Sequence, residues 1–284
     1  MKIVLCSNVH GQPGTSSNML AIALMSDVLY GRKSIMLQTQ FTQNRLEVPL
    51  LKKEQRKRIE QLQLGMNALI KSMLAGMGTR ELLKNCCLSL GENSIDFLPG
   101  PYHKQKQVYE RELEITLHEM IKLAEQCYEY VYIDCGVEMN PYAMKVLEEA
   151  DLILVSTCQN KRVLDDLFEN YKLPDKPIFY LIGNYDKNSQ NSIGNLFHSY
   201  KELNKHNTFV IPYNIEFKDA VSESFITSFF YRNICCEKED ENYNFIKEVQ
   251  KAVRAINEYL DFLVEEREKI RQKGTKAGGS TSVS

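Results

Sequence analysis

The sequence predicts a three-layer α/β domain, with a mainly parallel sheet of about seven strands and helices on both faces. Three observations carry this. Short β-rich runs alternate with longer helical patterns along most of the 284 residues, the signature of successive strand–helix–strand units. Several of those runs are almost continuously apolar, as strands are when helices cover both sides. The first run also passes straight through a glycine-bearing turn into a helical pattern.

Taken in order, Lys2–Cys6 reads as the first strand. It runs into glycines rather than a small-residue cleavage site, which argues against a signal peptide. A helix is expected over Ser17–Leu29 and a strand over Ser34–Gln38. Leu46–Leu90 shows no strand pattern. It opens with the charged run Lys52–Arg58 and continues with apolar spacing suited to two or three short helices, a helical insertion. The charge run reads as a solvated helix face. Further strands are expected at Ile95–Leu98, Tyr130–Asp134, Leu152–Ser156, Ile178–Gly183 and Thr208–Ile211. Helices are expected at Lys104–Gln126, Pro141–Glu149, Lys161–Tyr171 and Ser192–Leu203.

Asn242–Lys273 reads as one long helix with a stripe of Phe245, Val249, Ala252, Val253, Ile256, Leu260, Leu263 and Val264. Such a stripe suits a helix docked on the body. A membrane-surface or partner helix is the sharper alternative, and the acidic polar face disfavours the membrane. Gly274–Ser284 is small and polar and reads as a disordered tail. The expected division is therefore a main domain over 1–240 with the insertion at about 46–90, a helix over 241–273 and a tail over 274–284.

Hydrophobic residues at 43% and charged residues at 25% are ordinary for a soluble globular protein with a sizeable core, the net charge is −2, and a cytoplasmic location is expected. Such a charge gives no global basic field for nucleic acid. No apolar run approaches the ~20 residues that span a bilayer. The eight cysteines (Cys6, Cys86, Cys87, Cys127, Cys135, Cys158, Cys235 and Cys236) show no C-x-x-C spacing and read as reduced thiols. His103, His118, His198 and His206 stand apart from one another and from any ligand pattern.

Chemistry concentrates at Gly11, Gln12, Pro13, Gly14, Thr15, Ser16 and Ser17. A strand, a glycine turn and a helix N-terminus form a nest of backbone amides that accepts phosphate. The string matches G-x-x-x-x-G-K-[ST] in part, with Thr15 at the lysine position and Ser16 where the hydroxyl would meet Mg²⁺. The loop alone leaves a plain strand–turn–helix junction open.

Five segments in order then carry a resemblance. Asn8–Ser16 resembles the deviant phosphate loop K-G-G-x-G-K-[ST] of the MinD/ParA family of P-loop ATPases, with His10 at the signature lysine. Tyr128–Gly136 resembles the family's YDYVIID-x-[GP] segment, and Ala150–Val155 the strand that follows it. Leu181–Asp186 resembles the strand whose asparagine meets adenine, and Ile211-Pro212-Tyr213 the turn beside the base. The resemblance implies the P-loop fold, ATP and Mg²⁺ as cofactors, Asn184 and Pro212 at the base, and Ser16 and Asp134 at the metal. It also implies a homodimer formed across the nucleotide. Gly11–Ser16, the LPGP run at Leu98–Pro101 and the GMNALIKSMLAG run are similar to the CpaE/TadZ branch, which positions pilus machinery at cell poles.

Gln38–Asn44 resembles the family's D-x-D-P-Q-x-N segment, with glutamine at both aspartate positions. Gln40 falls at the water-positioning place. With Thr15 and His10 replacing lysines, hydrolysis is expected to be weak or absent; one lost donor in such a site costs ~2.7–4 kcal/mol. Arg32, Lys33 or a partner residue is left to supply charge. The expected function is an ATP-binding switch or scaffold that serves a pilus, secretion or conjugation machinery. Recruitment by protein partners to the membrane or a cell pole is expected, with peripheral membrane contact left open. The alternatives are a nucleotide-free pseudo-ATPase interaction module and a ParA-like partitioning ATPase, the latter resting on Lys52–Arg58 alone. An iron–sulphur relative lacks its C-x-x-C, and a tyrosine-kinase relative lacks a tyrosine cluster in the tail.

Overall fold

A computed structural model describes residues 1–41, 46–62, 64–90, 95–101, 105–137 and 139–277, with backbone alone at 271 and 273–277. In chain order the elements are β1 (Lys2–Cys6), α1 (Thr15–Tyr30), β2 (Ser34–Gln38), α2 (Glu47–Leu50), α3 (Lys53–Leu62), α4 (Met66–Leu74) and α5 (Arg80–Cys86). There follow β3 (Leu88–Leu90), β4 (Ile95–Phe97), α6 (Lys106–Cys127), β5 (Tyr130–Gly136), α7 (Pro141–Glu148), β6 (Leu152–Thr157) and α8 (Lys161–Glu169). The chain continues through β7 (Ile178–Tyr185), α9 (Ile193–Ser199), β8 (Thr208–Pro212), α10 (Ile215–Ser222), α11 (Ile226–Asn233) and α12 (Tyr243–Ala277).

The eight strands form one sheet in the order β3-β4-β2-β5-β1-β6-β7-β8. Every pair is parallel except β3 with β4. β1 lies between β5 and β6, the point where the chain's direction of travel across the sheet reverses. In an open α/β sheet the crevice beyond the carboxyl ends of such strands is where ligands bind.

Burial explains why the central strands were so apolar. β2, β5 and β6 are buried at every position. One side of the sheet packs a core that includes Leu20, Leu24, Phe217, Phe229, Phe245 and Val249. The other packs Leu69, Leu113, Met120, Ile133, Val146 and Leu164. Helices therefore cover both faces.

α12 docks through its stripe, from Phe245 to Leu260 fully buried, whereas Val264 is exposed. Polar ties fix it: Tyr130 Oη donates to Asn257 Oδ1 at 2.9 Å, Arg32 pairs with Asp261 at 2.9 Å and Arg267 with Asp151 at 2.5 Å. The helix continues past Lys273, into the segment that reads as tail.

Three further departures from the expected elements have physical causes. Leu88–Leu90 is a strand, not part of a purely helical insertion; at three residues it is too short to show alternation, and it exists by pairing antiparallel with β4. The stretch after the charged run holds two helices, α4 and α5, within the expected two or three, and the short α2 before the run was not expected. α10 and α11 fill a stretch where no element was expected; α10 is started by Asn214, whose side chain accepts from the Phe217 amide. In α3 only Ile59 is buried, so the Lys52–Arg58 run is a solvated face.

Candidate functional site

The loop between β1 and α1 is shaped by backbone. Gly11 and Gly14 have φ of 78° and 68°, a region that side chains resist. Gly14 is the N-cap of α1; no side chain caps it, and no acidic residue stands in the first turn. The opening amides of a helix have no intrahelical partner, and together with the helix dipole they favour an anion.

Neutral side chains from α1, from the turn after β6 and from the end of β7 hold the loop in place. Asn18 Nδ2 donates to the Pro13 carbonyl at 2.9 Å and to Ser156 Oγ at 3.2 Å. Asn184, with a left-handed φ of 49°, donates to the Gln12 carbonyl at 2.8 Å. Asn160 Nδ2 donates to Gln12 Oε1 at 3.2 Å. Gly183 allows the closest approach, because a Cβ there would lie 1.9 Å from the Pro13 carbonyl oxygen.

Asp134, at the end of β5, is fully buried, and its carboxylate accepts hydrogen bonds from the loop helix and from its neighbours. Ser16 Oγ donates to Oδ2 at 2.5 Å, while Gln40 Nε2 and the Gly136 amide donate to Oδ1 at 3.1 and 2.9 Å. Gly136, at φ 66°, leaves room for Gln40, whose Cδ would lie 1.9 Å from an added Cβ. Gln38 is buried one alternation back, its Nε2 3.5 Å from the Gln40 carbonyl. Among the described residues no cluster of His, Cys, Asp or Glu could hold a metal by itself. The Ser16 hydroxyl and the Asp134 carboxylate are nevertheless hard oxygen donors converging at one point, a pair that suits Mg²⁺ once phosphate oxygens and waters complete its shell. Burial pushes the neighbouring Cys6 thiol up to about 12 and raises Cys135 as well, so neither is a ready nucleophile.

A cleft of about 470 Å³ joins the loop to the end of the sheet, within the size range of small-ligand sites. Gly11, Gly14, Ser17 and Asn18 form one wall, and Asn184, Pro212, Tyr213 and the start of α10 form the other. Of the residues singled out in the sequence, Gly11, Gly14, Ser17, Asn184 and Pro212 line this space. Gln12 and Pro13 receive the straps, Thr15 is buried, and Ser16 turns to Asp134. His10 is exposed at the loop's edge. Thr42, Gln43 and Asn44 lie outside the described residues.

Arg32 and Lys33 do not supply charge here. They precede β2, at the opposite end of the sheet, where Arg32 pairs with Glu129 and Asp261 and Lys33 lies over the Tyr128 ring. Sequence reasoning missed Lys218, which lines the cleft with Asn214, Phe217 and Val221. Their spacing of three, four and seven residues from Asn214 marks one helical face, a signal that was present in the sequence.

Searches with the sequence match no protein-family model and no curated protein. Solved structures do match. A ParA family ATPase from Chlorobium tepidum is 15% identical with a TM-score of 0.63, over 89% of this chain and 98% of that one. The septum site-determining protein MinD of Pyrococcus horikoshii, complexed with Mg-ADP, is 16% identical with a TM-score of 0.62, over 89% and 96%. A chain of the Aquifex aeolicus MinC:MinD cell division protein complex is 12% identical with a TM-score of 0.62, over 90% and 95%. The chain thus has the MinD/ParA P-loop fold. No helix among the described residues is long and apolar enough to cross a membrane.

Proposed function

We propose that this protein is an ATP-binding switch or scaffold of the MinD/ParA type that hydrolyses ATP weakly or not at all. In this reading it positions or assembles a pilus, secretion or conjugation machinery, as the CpaE/TadZ-like segments suggest. The observation that carries the nucleotide reading is the single cleft joining an uncapped, glycine-shaped helix N-terminus to Asn184 and Pro212. Ser16 and Asp134 would hold Mg²⁺, which would neutralise charge on the phosphates.

Weak hydrolysis follows from the groups around Asp134. Gln40 presents an amide to the Asp134 carboxylate. It can orient a water but cannot take its proton as a carboxylate would. Thr15 and His10 bring no fixed positive charge to the transferred phosphoryl. Losing one such preorganised group costs about a hundredfold in rate or more. Binding is less affected, because the amide nest and the straps that hold it are intact.

Pairing of two chains across the cleft would give the switch its output, with a protein partner reading the paired state. The purified protein, measured by calorimetry with Mg-ATP and by mass with and without nucleotide, is expected to bind one nucleotide per chain and to gain mass. Turnover above a few per second overturns the weak-hydrolysis reading. No binding together with an unchanged monomer replaces the switch with a nucleotide-free interaction module.

A further inference from the structure

Removing lysine from a phosphate loop leaves an electrostatic problem, and the cleft contains one residue able to answer it. Among the described residues, those lining the space are neutral except Lys218. It stands on α10, on the wall facing the loop, one turn after the Asn214 cap. Its Nζ rests 4.8 Å from the centre of the Tyr213 ring, and it makes no ion pair among the described residues. Glu216, two residues away, is already engaged by Arg232 and Asn242.

We propose that Lys218 provides the cationic contact to the phosphates of a nucleoside di- or triphosphate in this cleft, from α10 rather than from the loop. The inference rests on the reading of the cleft as a nucleotide site and adds to it the residue that supplies charge. The chemistry suits the task. A lysine ammonium is a compact point charge on a flexible four-carbon stem, and it can follow a ligand that a rigid loop residue would have to meet in place. Its attachment to Tyr213 is of the weak, exposed kind, and a phosphate oxygen offers a stronger, charge-assisted partner. The amides of the loop would then hold the anion's shape while Lys218 balances part of its charge.

The test compares wild type with Lys218→Gln and Lys218→Arg, titrating adenosine, AMP, ADP and ATP at low and high salt. Lys218 is exposed on a helix surface, so the variants should melt with the wild type, which is checked first. Lys218→Gln is expected to weaken ADP and ATP by about tenfold and leave adenosine within about twofold. The loss should shrink as salt screens the charge, and Lys218→Arg should restore most of it. Equal affinity of wild type and Lys218→Gln for ADP overturns the inference while leaving the nucleotide reading intact. An equal loss for adenosine also overturns it, because Lys218 would then be a wall for the base. If wild type binds none of the four, the inference falls together with the functional reading beneath it.

Discussion

On the loop wall of the cleft Asn18 is buried and bonded to the loop, and behind that wall Asp134 and Gly183 are buried against it. Across from them Tyr213 is 52% exposed and Ile215 66% exposed, and Lys218 reaches over the tyrosine ring. The side chains lining the loop wall are neutral and held by groups far apart in sequence; the α10 wall is open and carries the charge of the lining. The difference teaches that the shape of a phosphate loop and its charge are encoded separately. Positive φ at Gly11 and Gly14 and the asparagine straps need no lysine. The fold can therefore lose Thr15's and His10's charged counterparts and keep the nest.

The largest expected effect comes from breaking the rigid wall at its closest contact. Gly183→Ala puts a methyl 1.9 Å from the Pro13 carbonyl oxygen. Both are main-chain neighbours with no flexible tip to yield, so β7 or the loop must move. A loss of about 1–3 kcal/mol is expected in urea melts, with nucleotide affinity falling at least about tenfold as the nest is distorted. A variant that keeps full affinity would show that the loop is not held by this contact. Next comes Asn18→Ala, which leaves the buried Pro13 carbonyl without its donor. The cost expected is about 1–3 kcal/mol, again with weaker binding. On the open wall the sign of the comparison changes. Tyr213→Ala should shift stability by less than about 0.5 kcal/mol, as exposed substitutions do, yet weaken nucleotide binding if the ring walls the ligand. A large loss of stability there would erase the contrast between the walls.

That contrast also separates what was legible in the sequence from what was not. β1, β5 and β6 were readable because burial on both faces makes them continuously apolar, and the loop because its turn demands glycine. Asp134 and Ser16 were readable from position within motifs, and the structure joins them at 2.5 Å. The straps were not readable. Asn160 reaches Gln12 across 148 residues and Asn184 across 172, and nothing local distinguishes such asparagines from those that cap helices. β3 was hidden by its length and by an existence that depends on β4. Lys218 was marked only by its spacing from the Asn214 cap, on a helix of eight residues too short to show a long apolar period.

The last effect is on stability alone and concerns a second buried carboxyl, Glu47, which meets Gly100 beside Gln38. Glu47 is 1% exposed; its Oε1 accepts from the Gly100 amide, and its Oε2 has no hydrogen-bond partner among the described residues. Burial holds this carboxyl above its ordinary 4.5, with the Gly100 amide opposing the shift. The folded chain therefore keeps the proton more tightly than the unfolded chain does. Below pH 4.5 both forms are protonated and the group is neutral in both; as pH rises through the raised value, the folded state must bury a charge and loses stability. Glu47→Gln retains an oxygen for Gly100 and removes that charge. Its melting temperature should exceed wild type by about 2–4 °C at pH 8, the shift that ~1 kcal/mol produces in a domain of this size. The gap should close as pH falls towards 4.5. A gap that is constant with pH, or that widens in acid, would mean that Glu47 is held as a charged group.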